Sequence, residues 1–386
     1  MKKHYFFVIF YILISFHSKS QVLFREHPLG NLNQRVTGIV SVDIDLDGDF
    51  DIIACLHLEN KIQAWINEGM PLPDFSIKII AGDIQGPFYL CASDLNQDEY
   101  PDIVVSLVGS NEIMAIINPG NSNQDWSKYI VTENYGEPHD VAIADINGDG
   151  LKDIIANAAA DNTIAFWKNN GGQPDTWIKT VITDDFLYTQ SIDVKDFDND
   201  GDMDLLASAN KANSIVLWLN DGNSSPSWEK IIIDPSFSVA HDARFADMNN
   251  DGFMDILGVA FGSNKIACWL NTGNNTPTFN MEIISSTFLN PLTIQTGDID
   301  HDGDLDAIGC AWGNGTVSWF ENQLNKSGVW KEHIITDSLR GAWPLCLSDI
   351  DMDDDIDILA GADILGNSGS NGTFVLLENL TLHSRH

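Results

Sequence analysis

Basic residues are scarce in this chain of 386 residues: 20 lysines and arginines stand against 56 aspartates and glutamates, a formal net charge of −36. That imbalance excludes a nucleic-acid partner, because affinity for the phosphate backbone comes largely from Lys and Arg. Cysteine is sparse and odd in number. Cys55, Cys91, Cys268, Cys310 and Cys346 lack metal-ligand spacing, and in an exported protein an odd count cannot close a complete disulfide framework; they read as small buried residues of strands. Long hydrophobic runs are also missing. The apolar run Tyr5–Phe16 has 12 residues, short of the roughly 20 needed to cross a bilayer as a helix. With Lys2 and Lys3 before it and Ser18 and Ser20 after it, residues 1–20 read as a secretory signal cleaved near Ser20. The expectation is an exported protein, secreted, periplasmic or at the cell surface, with residues 21–386 as one domain and no transmembrane segment after cleavage. No nucleophile elbow, phosphate loop or zinc motif is present.

What is present is repetition. An acidic nine-residue segment starts at Asp43, Asp94, Asp145, Asp196, Asp247, Asp298 and Asp349, each 51 residues after the last. Seven such units fill almost the whole chain. The segments hold 31 of the 56 acidic residues, a density that is costly through mutual repulsion unless cations neutralise it.

The repeats align with one another. One aromatic column reads Trp65, Ile116, Trp167, Trp218, Trp269 and Phe320, and another Phe24, Phe75, Trp126, Trp177, Trp228, Phe279 and Trp330. Each unit carries four short β patterns, A to D, with the acidic segment joining A to B and apolar alternation or short apolar runs inside them. Four strands in a repeat near 50 residues predict a β-propeller blade. The fold class is therefore all-β, a seven-bladed propeller, with both aromatic columns filling the gaps between blades. Phe24 falls one repeat before Phe75, so the N-terminal segment supplies a D-type strand, whereas the seventh unit ends after C. The N-terminal strand is expected to close the last blade.

The acidic loops present oxygen side chains at positions 1, 3, 5 and 9, the alternation that a hard cation such as Ca²⁺ requires. The candidate ligands are Asp43, Asp45, Asp47 and Asp51 in the first loop, Asp94, Asn96, Asp98 and Asp102 in the second, and Asp145, Asn147, Asp149 and Asp153 in the third. They continue as Asp196, Asp198, Asp200 and Asp204 in the fourth, Asp247, Asn249, Asp251 and Asp255 in the fifth, Asp298, Asp300, Asp302 and Asp306 in the sixth, and Asp349, Asp351, Asp353 and Asp357 in the seventh. Position 6 is glycine except for Glu99 and Asp354. Up to seven calcium ions, mainly structural, are expected, tightest in the first, fourth and sixth loops and weakest in the second.

These DxDxDGxxD loops, each followed by an apolar strand, resemble the FG-GAP/VCBS repeat family, which includes the propeller of integrin α subunits. The resemblance covers residues 22–379 and implies a seven-bladed propeller with calcium between strands A and B; literal FG-GAP tetrapeptides are absent. It leaves function open, since members include adhesion modules, lectins and polysaccharide lyases, and fold does not imply function.

Columns that differ between repeats are free of the shared structural duty. Six residues before each loop stand Thr37, Phe88, His139, Gln190, His241, Leu292 and Trp343, on the end of the blades opposite the loops. His139, His241, Tyr188 and Arg244 are the candidates for catalysis, suited to neutralising a uronate carboxylate and taking the neighbouring proton. Asp140, Asp193, Asp242, Trp312 and Trp343 are candidates for binding, the indoles by stacking on sugar rings. A third reading has the pairs His139-Asp140 and His241-Asp242 capping strand entrances by hydrogen bonds. The function expected is recognition of an extracellular polysaccharide or protein by a monomer, with a polysaccharide lyase as the alternative.

Overall fold

The computed structural model describes residues 22–30, 35–69, 74–121, 124–171, 176–274, 276–325, 328–362 and 374–381. The expected signal segment lies outside them. Blade 1 consists of strands A (Val36–Val42), B (Asp51–Leu56), C (Lys61–Asn67) and D (Phe75–Ala81). The same order recurs in blade 2 (Pro87–Thr132), blade 3 (Val141–Thr183), blade 4 (Thr189–Asp234), blade 5 (Ala240–Ser285) and blade 6 (Pro291–Thr336). Among the described residues, helix is confined to the single turns His57–Glu59 and Phe261–Ser263.

Every B strand is buried along its whole length, because a strand with sheet neighbours on both sides and blades above and below has no wet face. That is why B reads as an unbroken apolar run, DIIACL in blade 1, rather than as an alternation. D strands lie outermost and are largely exposed. The first aromatic column is buried throughout, from Ile116 at 0% to Trp269 at 3% exposure. The second differs from expectation: only Trp126 is buried, and its fellows are half-exposed, since D has solvent on its outer side.

The core lies between blades. Ile155 and Phe166 of blade 3 join Leu205 and Trp218 of blade 4 in one cluster, and Trp65 of blade 1 joins Leu359 and Phe374 of blade 7 in another. A third aromatic column, unread in the sequence, sits in the connections entering blades 3 to 6: Tyr135, Phe186, Phe237 and Phe288. Each packs edge-on against a first-column ring at 4.9 to 5.2 Å between centroids, the arrangement that aromatic quadrupoles favour.

Closure is as the repeat phase requires. Strand Phe24–Pro28 pairs antiparallel with C of blade 7 (Phe374–Asn379), from Phe24↔Asn379 to Pro28↔Val375. In the same sheet follow B (Asp357–Ala362) and A (Ala342–Ser348). The five cysteines are free, buried or half-buried in strands, as their columns predict.

Two asparagine columns latch neighbouring blades. At the turn between B and C, Asn60, Asn111, Asn162, Asn213 and Asn264 take left-handed φ of 52° to 58°. Their Oδ1 atoms accept backbone N–H groups from the next blade at 2.8 to 3.0 Å. At the loop end, the asparagine closing strand C sends Nδ2 to a carbonyl in the preceding blade's loop in six blades: Asn67 to Ile350, Asn118 to Ile44, Asn169 to Leu95, Asn220 to Ile146, Asn322 to Met248 and Asn379 to Ile299; Asn271 of blade 5 donates to Met254 of its own blade.

Candidate functional site

The A–B loops share one hydrogen-bonded frame. In each, the position 1 aspartate accepts the backbone N–H of positions 5 and 6, as Asp43 does from Asp47 at 3.1 Å and Gly48 at 3.0 Å. Position 9 is buried in all seven loops, at 0 to 1% exposure. One of its oxygens takes the N–H of position 2 and the other that of the asparagine ending strand C.

Position 4 is left-handed in every loop, glycine or not: Leu46, Gln97, Gly148, Asn199, Asn250, His301 and Met352 have φ between 55° and 69°. Glu99 and Asp354 adopt the turn that glycine serves elsewhere, at φ 78° and 72°. The frame therefore overrides the side chain.

The carboxylates crowd as a cation site would need. Ligand oxygens lie within 4.8 Å of one another in the groups Asp43, Asp45 and Asp51; Asp196, Asp198 and Asp204; Asp298, Asp300 and Asp302; and Asp349, Asp351 and Asp353. These are the three loops expected to be tightest, joined by the seventh. Burial, opposed by the backbone N–H bonds and aided by neighbouring carboxylates, pushes Asp51 and Asp204 up to about 7 and Asp357 to about 8. Asp351, 6% exposed, keeps one buried oxygen without a partner. An all-oxygen donor set with excess negative charge fits a hard divalent cation. The asparagine loops are partly self-satisfied: Nδ2 of Asn96, Asn147 and Asn249 is spent on Asp98, Asp153 and Asp251 at 2.9 to 3.0 Å.

At the opposite end, the A strands of all seven blades converge on one narrow mouth lined by Phe88, His139, Gln190, His241, Leu292 and Trp343, with a volume of about 30 Å³. That is room for about one water. Rings close it in sequence: Tyr188 to His139 at 5.7 Å, His139 to Phe88 at 5.0 Å, Phe88 to Trp343 at 4.9 Å and Trp343 to His241 at 6.4 Å. Gly38 permits this convergence, since a Cβ there would stand 2.9 Å from the Phe88 carbonyl oxygen.

His241 Nδ1 donates to the Leu292 carbonyl at 2.8 Å, leaving Nε2 with its lone pair. Burial lowers its pKa to about 4, so it is neutral at ordinary pH. His139 is lowered by burial too, and its Nδ1 has no partner among the described residues.

The aspartates of the His-Asp pairs are structural. Asp140 accepts from Val141 and Ile192, and Asp242 accepts from Ile294 and pairs with Arg244 at 3.0 Å. Asp193 accepts from Val194 and Phe245. All three join adjacent blades, so the capping reading describes their carboxylates, while the two imidazoles face the mouth.

Arg244 is deeply set in the mouth's lining, its side chain 15% exposed, held by Asp242 and donating to the Ile192 carbonyl at 2.9 Å. Burial opposes its charge, but Asp242, with Asp140 and Asp193, holds its pKa above the ordinary value. It lines the mouth with Asp140 and Asp242, and its Nε has no partner among the described residues. Tyr188 is half-buried at the rim, its hydroxyl donating to Glu137 at 3.0 Å and its ring covered by Lys211. Trp312 stands apart from the mouth, beside Phe261 at 6.3 Å.

Comparison with known proteins agrees with this architecture. The FG-GAP-like repeat profile matches residues 94–156, 196–258 and 247–309. No curated protein matches the sequence. Among solved structures, the chain is similar to a catalytically inactive virginiamycin B lyase from Staphylococcus aureus with quinupristin, at 15% identity and TM-score 0.62, covering 93% of this chain and 100% of that one. It is also similar to an Agrocybe aegerita lectin that recognises non-reducing terminal N-acetylglucosamine, at 18% identity and TM-score 0.55, covering 79% and 81%. BBS1N in complex with ARL6DN matches at 11% identity and TM-score 0.61, covering 94% and 99%. At such identities the likeness is one of fold alone.

Proposed function

We propose that this seven-bladed propeller of FG-GAP-like repeats is an exported recognition module, stabilised by calcium in its loops, that docks an extracellular polysaccharide or protein on the face opposite them. The carrying observation is the continuous arc of rings from Tyr188 through His139, Phe88 and Trp343 to His241. Such an arc offers flat, weakly hydrated faces with nitrogen atoms at their edges, suited to a sugar ring or an aromatic side chain laid across the mouth. The mouth is too narrow to admit either.

A lyase has less support. Its base works best with a pKa near the operating pH, whereas burial holds His241 at about 4 and Arg244 is engaged by Asp242.

In the loops, calcium would be held by the oxygens of positions 1, 3, 5 and 9. It would supply charge neutralisation in a site where carboxylates otherwise repel one another. Export accords with the charged and apolar segments at residues 2–20; among the described residues no helix is long and apolar enough to cross a membrane.

The test is electrophoresis of calcium-loaded protein through gels containing different polysaccharides. Retarded migration without clearing, lost in Trp343→Ala, is expected. A cleared zone abolished by His241→Ala would establish depolymerisation instead, and unchanged migration in every gel would exclude the polysaccharide and leave a protein ligand.

A further inference from the structure

Position 4 of each acidic loop stands between two candidate ligands, positions 3 and 5, and takes the same left-handed turn in all seven loops. In three of them its side chain crosses to the next blade. Gln97 of the second loop donates Nε2 to the Gly150 carbonyl of the third at 3.3 Å. Asn250 of the fifth donates Nδ2 to the Gly303 carbonyl at 3.0 Å and to Asp304 Oδ1 at 3.1 Å, both in the sixth. His301 of the sixth reaches Asp355 of the seventh, Nε2 to Oδ1 at 2.7 Å. Leu46, Gly148 and Met352 carry no side-chain N–H or O–H to offer, so the run through the fifth, sixth and seventh loops stops at Met352.

The residues reached belong to the next loop's ligand frame. Position 7 sends its backbone N–H to the carboxylate of position 5, as Asp304 does to Asp302 at 3.2 Å and Asp355 to Asp353 at 3.0 Å. In the similar EF-hand loop, position 7 also lends its carbonyl to calcium. A cation that fixes Asp300 and Asp302 in the sixth loop therefore fixes His301 between them. His301 in turn fixes Asp355, at 0% exposure, and through its N–H the carboxylate of Asp353. The seventh loop has an acceptor still unmatched: Asp351, 6% exposed, keeps Oδ1 without a partner and shares one oxygen group with Asp349 and Asp353.

We propose that Asn250 and His301 are positioning residues that couple the fifth, sixth and seventh loops, so that calcium in one raises the affinity of its neighbour while the first loop fills on its own. Neither side chain is a ligand. Each acts through the residue it holds in the next loop, and linkage makes the effect reciprocal: calcium in the seventh loop must strengthen the sixth by the same factor. The inference rests on calcium entering the loops, as proposed above, and adds which sites fill together.

The experiment is calcium titration of the full chain labelled with nitrogen-15 glycine, read by NMR at Gly303 for the sixth loop and at Gly48 for the first. The seventh loop is disabled by Asp351→Asn with Asp353→Asn. Losing those charges weakens nearby cation sites through space whatever stands at position 301, so the same change is made in His301→Leu, a residue that Leu46 shows can take this turn. Disabling the seventh loop is expected to raise the calcium midpoint at Gly303 by about fivefold more in the parent than in His301→Leu, within the range of coupled sites. His301→Asn, which reproduces the pairing of Asn250 with Asp304, should regain most of that difference, and Gly48 should keep its midpoint throughout. Equal shifts in the parent and in His301→Leu overturn the coupling and leave the calcium sites standing. A midpoint at Gly48 that moves with His301→Leu also overturns it, as a global effect, and a Gly303 signal that never responds to calcium overturns both readings.

Discussion

The backbone of each acidic loop demands left-handed conformations at two positions, whatever residue stands there. Leu46, His301 and Met352 comply at position 4, and Glu99 and Asp354 at position 6. For an L-residue this costs roughly 1 to 2 kcal/mol. Glu99→Gly relieves that strain but frees the unfolded chain, a loss of roughly 0.4 to 1 kcal/mol, so a net gain of about 0.5 kcal/mol is expected in urea unfolding. A destabilised variant would show that the Glu99 side chain contributes to the fold.

A second residue-scale expectation concerns His241, whose folded pKa of about 4 lies below its unfolded value near 6.5. The unfolded chain then binds more protons between these values, so stability is present above about pH 6.5 and lost as pH falls toward 4. The decline in melting temperature from pH 7 to pH 5 should be shallower in His241→Gln than in the parent. Equal slopes would remove the claim that this imidazole is buried uncharged. The position of His241 on the mouth was legible in the sequence as a variable column. Its fixed proton was not, because the carbonyl that fixes it belongs to Leu292 in the next blade.

At the scale of the element, the 51-residue spacing made strands, loops and closure legible, because periodic apolar runs at fixed offsets leave few alternatives. It did not reveal what joins one blade to the next. The asparagines after strand C read as turn residues, yet six of them tie their own loop to the preceding one. Asn220, 6% exposed, donates from Nδ2 to both Ile146 and Met203. Asn220→Ala leaves two carbonyls without this donor and should cost about 1 to 3 kcal/mol. An unchanged urea midpoint would show that water replaces it. The signal was available, since the column is constant at the blade spacing, but the eye follows carboxylates in such a sequence. Arg244 is a different case: its place on the mouth was legible in the sequence, whereas its ion pair with Asp242 depends on depth, which a sequence does not carry.

The whole molecule is a ring of acidic units closed by one short strand, and closure has an electrostatic component as well as a hydrogen-bonded one. Arg25 and His27 of the closing strand both meet Glu378, which is only 5% exposed on strand C of blade 7. Deleting residues 22–30 removes the ladder from Phe24 to Pro28 and leaves that buried carboxylate without Arg25 and His27. Arg25 is half-exposed, so that ion pair itself contributes at most about 1 kcal/mol, and the lost ladder dominates. The deletion also bares the edge of an apolar strand, FVLLEN, ready to pair with another copy. The truncated protein is expected to melt well below the parent and to self-associate with rising concentration in light scattering. Calcium should raise the melting temperature of both forms, because a ligand of the folded state alone stabilises it, but it should not restore the monomer, since the loops lie apart from the open edge. A monomeric truncation with the parent's melting temperature would mean that the ring holds without its closing strand. Restoration of the monomer by calcium would instead mean that charge repulsion among the loops, rather than the bared strand, opens the ring.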